Sequence, residues 1–237
     1  MIIKAIIFDV DGTLADTEDG HRKSFNKAFA ESGLNWNWDV PLYDKLLKVT
    51  GGKERIKHFV KTCQPDFNMP ADYDGFVKKL HALKTLHYTD MLGKGDIPLR
   101  PGIRQLIDDA QRNGIRLAIA TTTTPENVTA LLRQGFGING ENIFEVIGSG
   151  DIVPHKKPAP DIYFWVLEKM GLPATDCIAL EDSENGLRSS LAAGIKTFIT
   201  TNRYTSAQNF SGAAAVFDDL SDINHFCHVS GLPQSRV

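Results

Sequence analysis

The nine residues from Ile2 to Val10 are apolar apart from Lys4 and Asp9, rich in β-branched side chains, and run directly into Asp9, Asp11 and Gly12. Such a run has no polar face, so it predicts a strand buried on both sides at the centre of a parallel sheet. It is too short for a signal peptide, carries Lys4, and lacks a small-residue cleavage site, so no leader is expected. Similar short runs recur at Arg116–Thr121, Ile143–Ile147, Cys177–Leu180 and Lys196–Thr200. Amphipathic stretches lie between them. One opens at Pro101-Gly102, with Ile103, Leu106, Ile107 and Ala110 on one face and Gly114 as its stop. A second starts at Thr124-Pro125, with Val128, Leu131 and Leu132 inward and Gly135 beyond its end. A third carries Ile162, Trp165 and Val166 before Gly171, and a fourth carries Leu187 and Leu191 before Gly194. Alternating strands and helices predict an α/β, Rossmann-like, doubly wound parallel sheet.

Residues 16–96 break that alternation. They contain no strand pattern and several helical ones, near His21–Ser32, Val40–Leu47, Glu54–Thr62 and Tyr73–Met91. Phe25, Ala28 and Phe29 form one apolar stripe, and Trp36 and Trp38 read as packing within this block. The expected organisation is a core of residues 1–15 and 97–237 with an inserted α-helical cap of residues 16–96. Gly93, Gly95 and Pro98 mark the return linker, and Ser230–Val237 reads as a loose tail.

The chain has 237 residues, 42% of them hydrophobic and 23% charged, which is enough for a sizeable core. A net charge of -3 without a basic stripe argues against nucleic acid. Cys63, Cys177 and Cys227 are few and widely spaced, which argues for a reducing compartment over a disulfide framework. No run is long enough to span a bilayer. The cytoplasm is the expected location.

In an open α/β sheet, ligands bind beyond the carboxyl ends of the strands. Those ends carry Asp9 and Asp11, Thr121, the Lys157-Pro158 loop, and Glu181-Asp182-Ser183. Asp9 and Asp11 lie two residues apart, so an extended chain turns both to one side. Two adjacent carboxylates repel, and burial raises the cost of keeping both ionised. A hard divalent cation relieves this, and oxygen-only ligands suit Mg²⁺. Asp182 adds a third carboxylate. Lys157 and Thr121 offer a cation and a hydroxyl to an anion. A metal site beside an anion site is what phosphoryl transfer requires.

Asp9-Val10-Asp11-Gly12-Thr13 resembles the DxDGT signature of the haloacid dehalogenase superfamily. Thr121, Lys157-Pro158 and Glu181-Asp182-Ser183 are similar to its three further motifs, in family order along nearly the whole chain. The resemblance implies that Asp9 is the nucleophile that becomes an aspartyl-phosphate, and that Asp11 is the acid and then the base. It implies that Thr121 and Lys157 hold the phosphoryl group, with Thr122 and Thr123 continuing toward the substrate. Asp9, Asp11 through its carbonyl, and Asp182 would bind Mg²⁺, with Glu181 supporting them.

The helical insert resembles the cap of the β-phosphoglucomutase-like subgroup, and the details resemble CbbY-type phosphatases, which act on xylulose 1,5-bisphosphate. The runs that carry this are Trp36–Asp39, Gly51-Gly52-Lys53-Glu54-Arg55, Ala118–Thr123 and Leu180–Leu187. Gly51 and Gly52 open a helix whose start suits an anion, and Lys53, Arg55 and Lys84 could receive a second phosphate. His21 is similar to a histidine that positions the acid/base aspartate in that subgroup. The expected activity is a Mg²⁺-dependent sugar-phosphate phosphatase acting on a sugar bisphosphate, as a monomer whose cap closes and reopens. A phosphosugar mutase shares these motifs, and a non-catalytic phosphosugar-binding regulator shares the fold. His58, His81, His87, His155, His225 and His228 receive no role, and Cys177 reads as inert core.

Overall fold

The computed structural model describes residues 3–233; Met1, Ile2 and residues 234–237 lie outside the described residues. The start of the expected first strand and the end of the expected tail fall there. The chain divides into two compact units, Met1–Asp16 with Pro98–Val237, and Thr17–Ile97.

The first unit is built on six parallel strands: β1 Ala5–Phe8, β2 Arg116–Ala120, β3 Val146–Gly148, β4 Cys177–Glu181, β5 Lys196–Thr200 and β6 Ala215–Phe217. Their order is β3-β2-β1-β4-β5-β6. β1 is central, with Ala5 opposite both Arg116 and Cys177, and all four of its residues are buried. Among the described residues, the helices of this unit are numbered after those of the second, which are α1 Glu18–Glu31, α2 Val40–Leu46, α3 Gly52–Cys63 and α4 Tyr73–Gly93. They are α5 Ile103–Arg112, α6 Pro125–Phe136, α7 Asp161–Met170, α8 Glu184–Ala192 and α9 Ile223–Ser230.

The strand period of two sorts the core into two faces. One face carries Ala5, Ile7, Ala118, Ala120 and Ala179, and α7 packs on it through Ile162, Tyr163, Val166 and Met170. The small alanines let the helix come close to the sheet. The other face carries Phe8, Leu180 and Phe198, which share one register level across β1, β4 and β5. Phe144 meets Phe8 edge-on at 6.1 Å, and Phe226 of α9 meets Phe198 at 5.5 Å. Helices therefore cover both faces of the sheet.

Four local expectations change. Gly135 lies inside α6, which runs on to Phe136; a Cβ there would sit 2.9 Å from the Leu99 side chain, so the glycine serves close packing rather than a stop. Leu191 is 37% exposed instead of inward. Ile143 belongs to a short 3-10 turn, and β3 starts only at Val146. Ser230 closes α9 and Leu232 is buried, so the C-terminal stretch begins as packed structure. β6 and α9 add to the strands and helices expected.

The connection toward the second unit is pinned at its own ends. Ala15 pairs with Leu99 in an antiparallel bridge, and the Arg100 N–H donates to the Leu14 carbonyl at 2.9 Å.

The second unit is α-helical, with α1 packed on α4. Its centre is aromatic: the Phe25 and Trp38 rings lie 4.5 Å apart, Phe29 and Trp38 4.9 Å, and Trp36 and Phe59 5.4 Å. Asn26 accepts from the Trp38 N–H at 2.8 Å and donates back to its carbonyl at 2.9 Å, which fixes the connection between α1 and α2. Among the described residues no helix is long and apolar enough to cross a membrane. The three cysteines are free thiols.

Candidate active site

β1 delivers Asp9 at its carboxyl end, where the Asp9 N–H continues the ladder to the Leu180 carbonyl at 3.0 Å. The chain then turns sharply. Leu14 N–H donates to the Val10 carbonyl at 2.9 Å, and Gly12 takes φ +79°. That region disfavours side chains. Space also excludes one, because a Cβ on Gly12 would lie 2.2 Å from Asp182 Oδ2. Asp9 is buried, whereas Asp11 is half-buried and forms a bridge to Ala15.

Thr121 follows β2 directly and is buried; its Oγ1 accepts from the Thr123 N–H at 3.3 Å. Thr123 Oγ1 in turn accepts from Asn127 Nδ2 at 2.9 Å. Thr122 and Thr123 are half-buried. Thr124 occupies the cap position of α6 ahead of Pro125, but its side chain makes no capping hydrogen bond.

The loop before α7 brings Lys157 inward. Its Nζ donates to Asp9 Oδ1 and to Glu181 Oε1, both at 2.6 Å. The ammonium also lies 5.3 Å from the centre of the Tyr163 ring, and the Tyr163 hydroxyl donates to the same Glu181 oxygen at 2.5 Å. β4 supplies Glu181, with no exposed surface, and then Asp182, whose Oδ2 accepts from Asn202 Nδ2 at 2.7 Å.

Burial drives the electrostatics. It raises the Asp9 carboxyl to about 8, against the lowering pull of Lys157 and with a raising contribution from Glu181. Burial alone would lower Lys157, but the Asp9 and Glu181 carboxylates outweigh it and hold the ammonium charged. Burial and then Glu181 push the Tyr163 hydroxyl well above its ordinary value, so it remains a donor.

Asp9, Glu181 and Asp182 each offer an oxygen, all within 4.8 Å of one another. Glu181 Oε2 is buried without a hydrogen-bond partner. Ionised together, the three carboxylates would exceed the single charge of Lys157, an excess that burial relieves by protonating Asp9 and that a divalent cation would offset. The donor set is oxygen only, which suits a hard cation. The residues present therefore fit such an ion. The Asp11 side chain lies outside this trio, which leaves its carbonyl as its expected contribution.

The expected residues of the helical unit form their own arrangement. Lys84 and His21 are buried and meet, Nζ to Nδ1, at 2.7 Å. Lys84 lies 4.7 Å from the Tyr88 ring centre, and the His21 ring lies tilted by 34° with its centre 3.9 Å from that of Tyr88. Arg55 is engaged locally, donating to the Leu46 carbonyl at 3.2 Å and to the Tyr43 hydroxyl at 3.1 Å. Gly52 begins α3, behind Gly51 at φ +95°, and Lys53 follows half-buried. A Cβ on Gly52 would lie 2.3 Å from His81 Nε2.

Three residues at the core site escaped the sequence reading: Tyr163, Asn202 and Arg100. Arg100 donates to the carbonyls of Gly12, of Thr200 at 3.1 Å, of Thr201, and of Asp218 at 2.6 Å. It ties the turn after β1 to the ends of β5 and β6. The strand-end rule, extended to β5, would have reached Asn202. Nothing in local pattern marks Arg100.

A profile for haloacid dehalogenase-like hydrolases matches residues 3–194. Protein CbbY, plasmid, of Cupriavidus necator is 49% identical over 93% of this chain and 87% of its own length. The crystal structure of CbbY from Rhodobacter sphaeroides with phosphate superposes with a TM-score of 0.88 at 44% identity, over 94% of this chain and 96% of the other. A point mutant of that same protein, crystallised with xylulose-(1,5)bisphosphate, also gives 0.88 at 44% identity, over 93% and 96%. With its motifs assembled at the strand ends of one parallel sheet and these relatives along nearly its full length, the chain belongs to the haloacid dehalogenase-like hydrolase family, in its CbbY-type branch, and is a phosphatase of that kind.

Proposed function

We propose that this phosphatase removes phosphate from a sugar bisphosphate such as xylulose 1,5-bisphosphate, through an aspartyl-phosphate on Asp9 and with Mg²⁺ as its cation. The observation that carries this reading is the junction of Asp9, Lys157 and Glu181, closed by two hydrogen bonds of 2.6 Å at the end of the central strand. The similarity to a CbbY protein crystallised with xylulose-(1,5)bisphosphate supports the substrate class.

Asp9 attacks phosphorus and the bond from phosphorus to the sugar oxygen breaks, with Asp11 giving that oxygen a proton. Water then attacks the aspartyl-phosphate, Asp11 takes its proton, and Asp9 is released with inorganic phosphate. Lys157 and Thr121 hold the phosphoryl oxygens and offset their charge. Mg²⁺, held by Asp9, Asp182 and the Asp11 carbonyl with Glu181 beside them, would neutralise charge on the transferring group. In this reading residues 16–96 act as the cap. The start of α3 at Gly52, with Lys53, Arg55, Lys84 and His21, serves the second phosphate, and Thr122 and Thr123 line the approach. The enzyme works as a monomer in the cytoplasm.

The test is phosphate release from a panel of sugar mono- and bisphosphates, with Mg²⁺ and with chelator. Fast, metal-dependent release from the bisphosphate, lost in Asp9→Asn, is the expected result. Equal rates on monophosphates would remove the bisphosphate assignment, and isomerised sugar phosphate without release would move the activity to a mutase.

A further inference from the structure

We infer that Asn202 is a positioning residue for the cation: it fixes the rotation of the Asp182 carboxylate and so sets which oxygen faces the ion. The inference rests on the proposed metal-dependent reading and extends it to a residue outside the four motifs.

The argument starts with the amide. An asparagine side chain has one accepting end and one donating end, and its neighbours decide which way round it sits. Here Oδ1 accepts from the Tyr204 N–H at 2.9 Å, so the Nδ2 end faces Asp182, where it donates to Oδ2 at 2.7 Å. The flip is therefore set by a backbone donor that cannot exchange roles. The backbone of Asn202 is held in turn. Its N–H donates to Thr205 Oγ1 at 3.0 Å, and its carbonyl accepts from Thr205 N–H at 3.1 Å and Ser206 N–H at 3.0 Å. Thr205 is buried. From the other side, Gly12 closes the space: a Cβ there would lie 2.2 Å from Asp182 Oδ2 and 2.6 Å from Asn202 Nδ2. Oδ2 is thus enclosed by an amide and a glycine, while Asp182 shares its oxygen trio with Asp9 and Glu181.

A donor to a metal-ligating carboxylate orients it, and losing one typically weakens metal binding by about 10–100-fold. Asn202 also has no charge, so it orients Asp182 without competing with a cation for it.

The test uses the full-length protein without substrate. Mg²⁺ affinity is measured by calorimetry and Mn²⁺ affinity by the loss of the free-ion signal in electron paramagnetic resonance. Asn202→Ala is expected to weaken both by about tenfold or more. Gln208→Ala removes a different tie of the same loop, the acceptor of the Glu184 N–H at 2.7 Å, but leaves Asn202 and its amide on Asp182, and its affinities are expected to match the wild type. If Asn202→Ala does not fold, Asn202→Ser replaces it; the serine hydroxyl can still accept from Tyr204 N–H but is too short to reach Asp182. Wild-type cation affinity in the asparagine variant, or an equal loss in Gln208→Ala, overturns the inference while leaving the metal-dependent reading intact. A wild-type protein that binds neither ion overturns both.

Discussion

Lys157 Nζ sits 2.6 Å from Asp9 Oδ1 and the same distance from Glu181 Oε1, so one buried ammonium joins the ends of β1 and β4. Asp9, raised to about 8 by burial, is largely protonated at neutral pH, so the charge that depends on this ammonium is that of Glu181. Removing one partner of a buried ion pair leaves an uncompensated charge and costs about 3–5 kcal/mol. Lys157→Ala should lose stability on that scale in urea unfolding at neutral pH and should release almost no phosphate. A variant as stable as the parent would mean that the contact contributes nothing to the fold.

Asp9 gives a pH prediction. Burial raises its carboxyl to about 8, above the unfolded value near 4. With the folded value raised, this group's contribution to stability is complete below the unfolded value and is lost as pH rises through the folded one. Asn at this position cannot ionise. In chelator, the melting temperature of Asp9→Asn relative to wild type should therefore climb between about pH 4 and about pH 8 and then level off. A flat difference across that window would show that the carboxyl is not held protonated.

Tyr163→Phe keeps the buried ring and deletes one hydroxyl. The lost hydrogen bond ends on a charged carboxylate, an interaction that contributes about 1.5–3 kcal/mol. Unfolding by denaturant should show a loss in that range, with kcat reduced because Glu181 and Lys157 lose a shared anchor. Unchanged stability together with unchanged kcat would remove the tyrosine from the site.

Gly186→Ala should reverse an ordinary rule. In a helix interior, alanine is favoured over glycine by about 1 kcal/mol. At this position in α8 the new Cβ would lie 1.9 Å from Glu181 Oε2, so the carboxylate or the helix must shift. The variant should be less stable than the parent and bind Mg²⁺ more weakly, read by thermal melts with and without the ion. A stabilised variant would show that Glu181 has room to turn away.

Much of this was legible before any coordinates, because the sheet imposes simple rules. A strand buried on both faces must be largely apolar, so β1, β2, β4 and β5 announce themselves, and Asp9, Thr121 and Glu181-Asp182 stand at or just past the ends of the first three. β6 was missed because three half-exposed edge residues carry no such constraint. Leu191 was misplaced because α8 is short and one side of it faces solvent. Tyr163 is hidden for a different reason: it reaches from α7 to a carboxylate on β4, and sequence spacing holds no trace of that distance, whereas Asn202 lies just past β5, an end that carries no acidic or hydroxyl signal of its own. Arg100 binds only carbonyl oxygens, which every residue has, so no side-chain pattern could reveal its partners.

The bridge between Ala15 and Leu99 has a consequence for how such a chain can change. The peptide leaves the sheet-bearing unit and returns to it at two positions that already hold one another. The strands therefore keep their alignment whatever is threaded between those positions. Insertions, deletions or wholesale exchange of the helical segment are free to accumulate without shifting Asp9 relative to Lys157 or Asp182. Recombination can thus renew the helical unit while the buried carboxylates stay where they are.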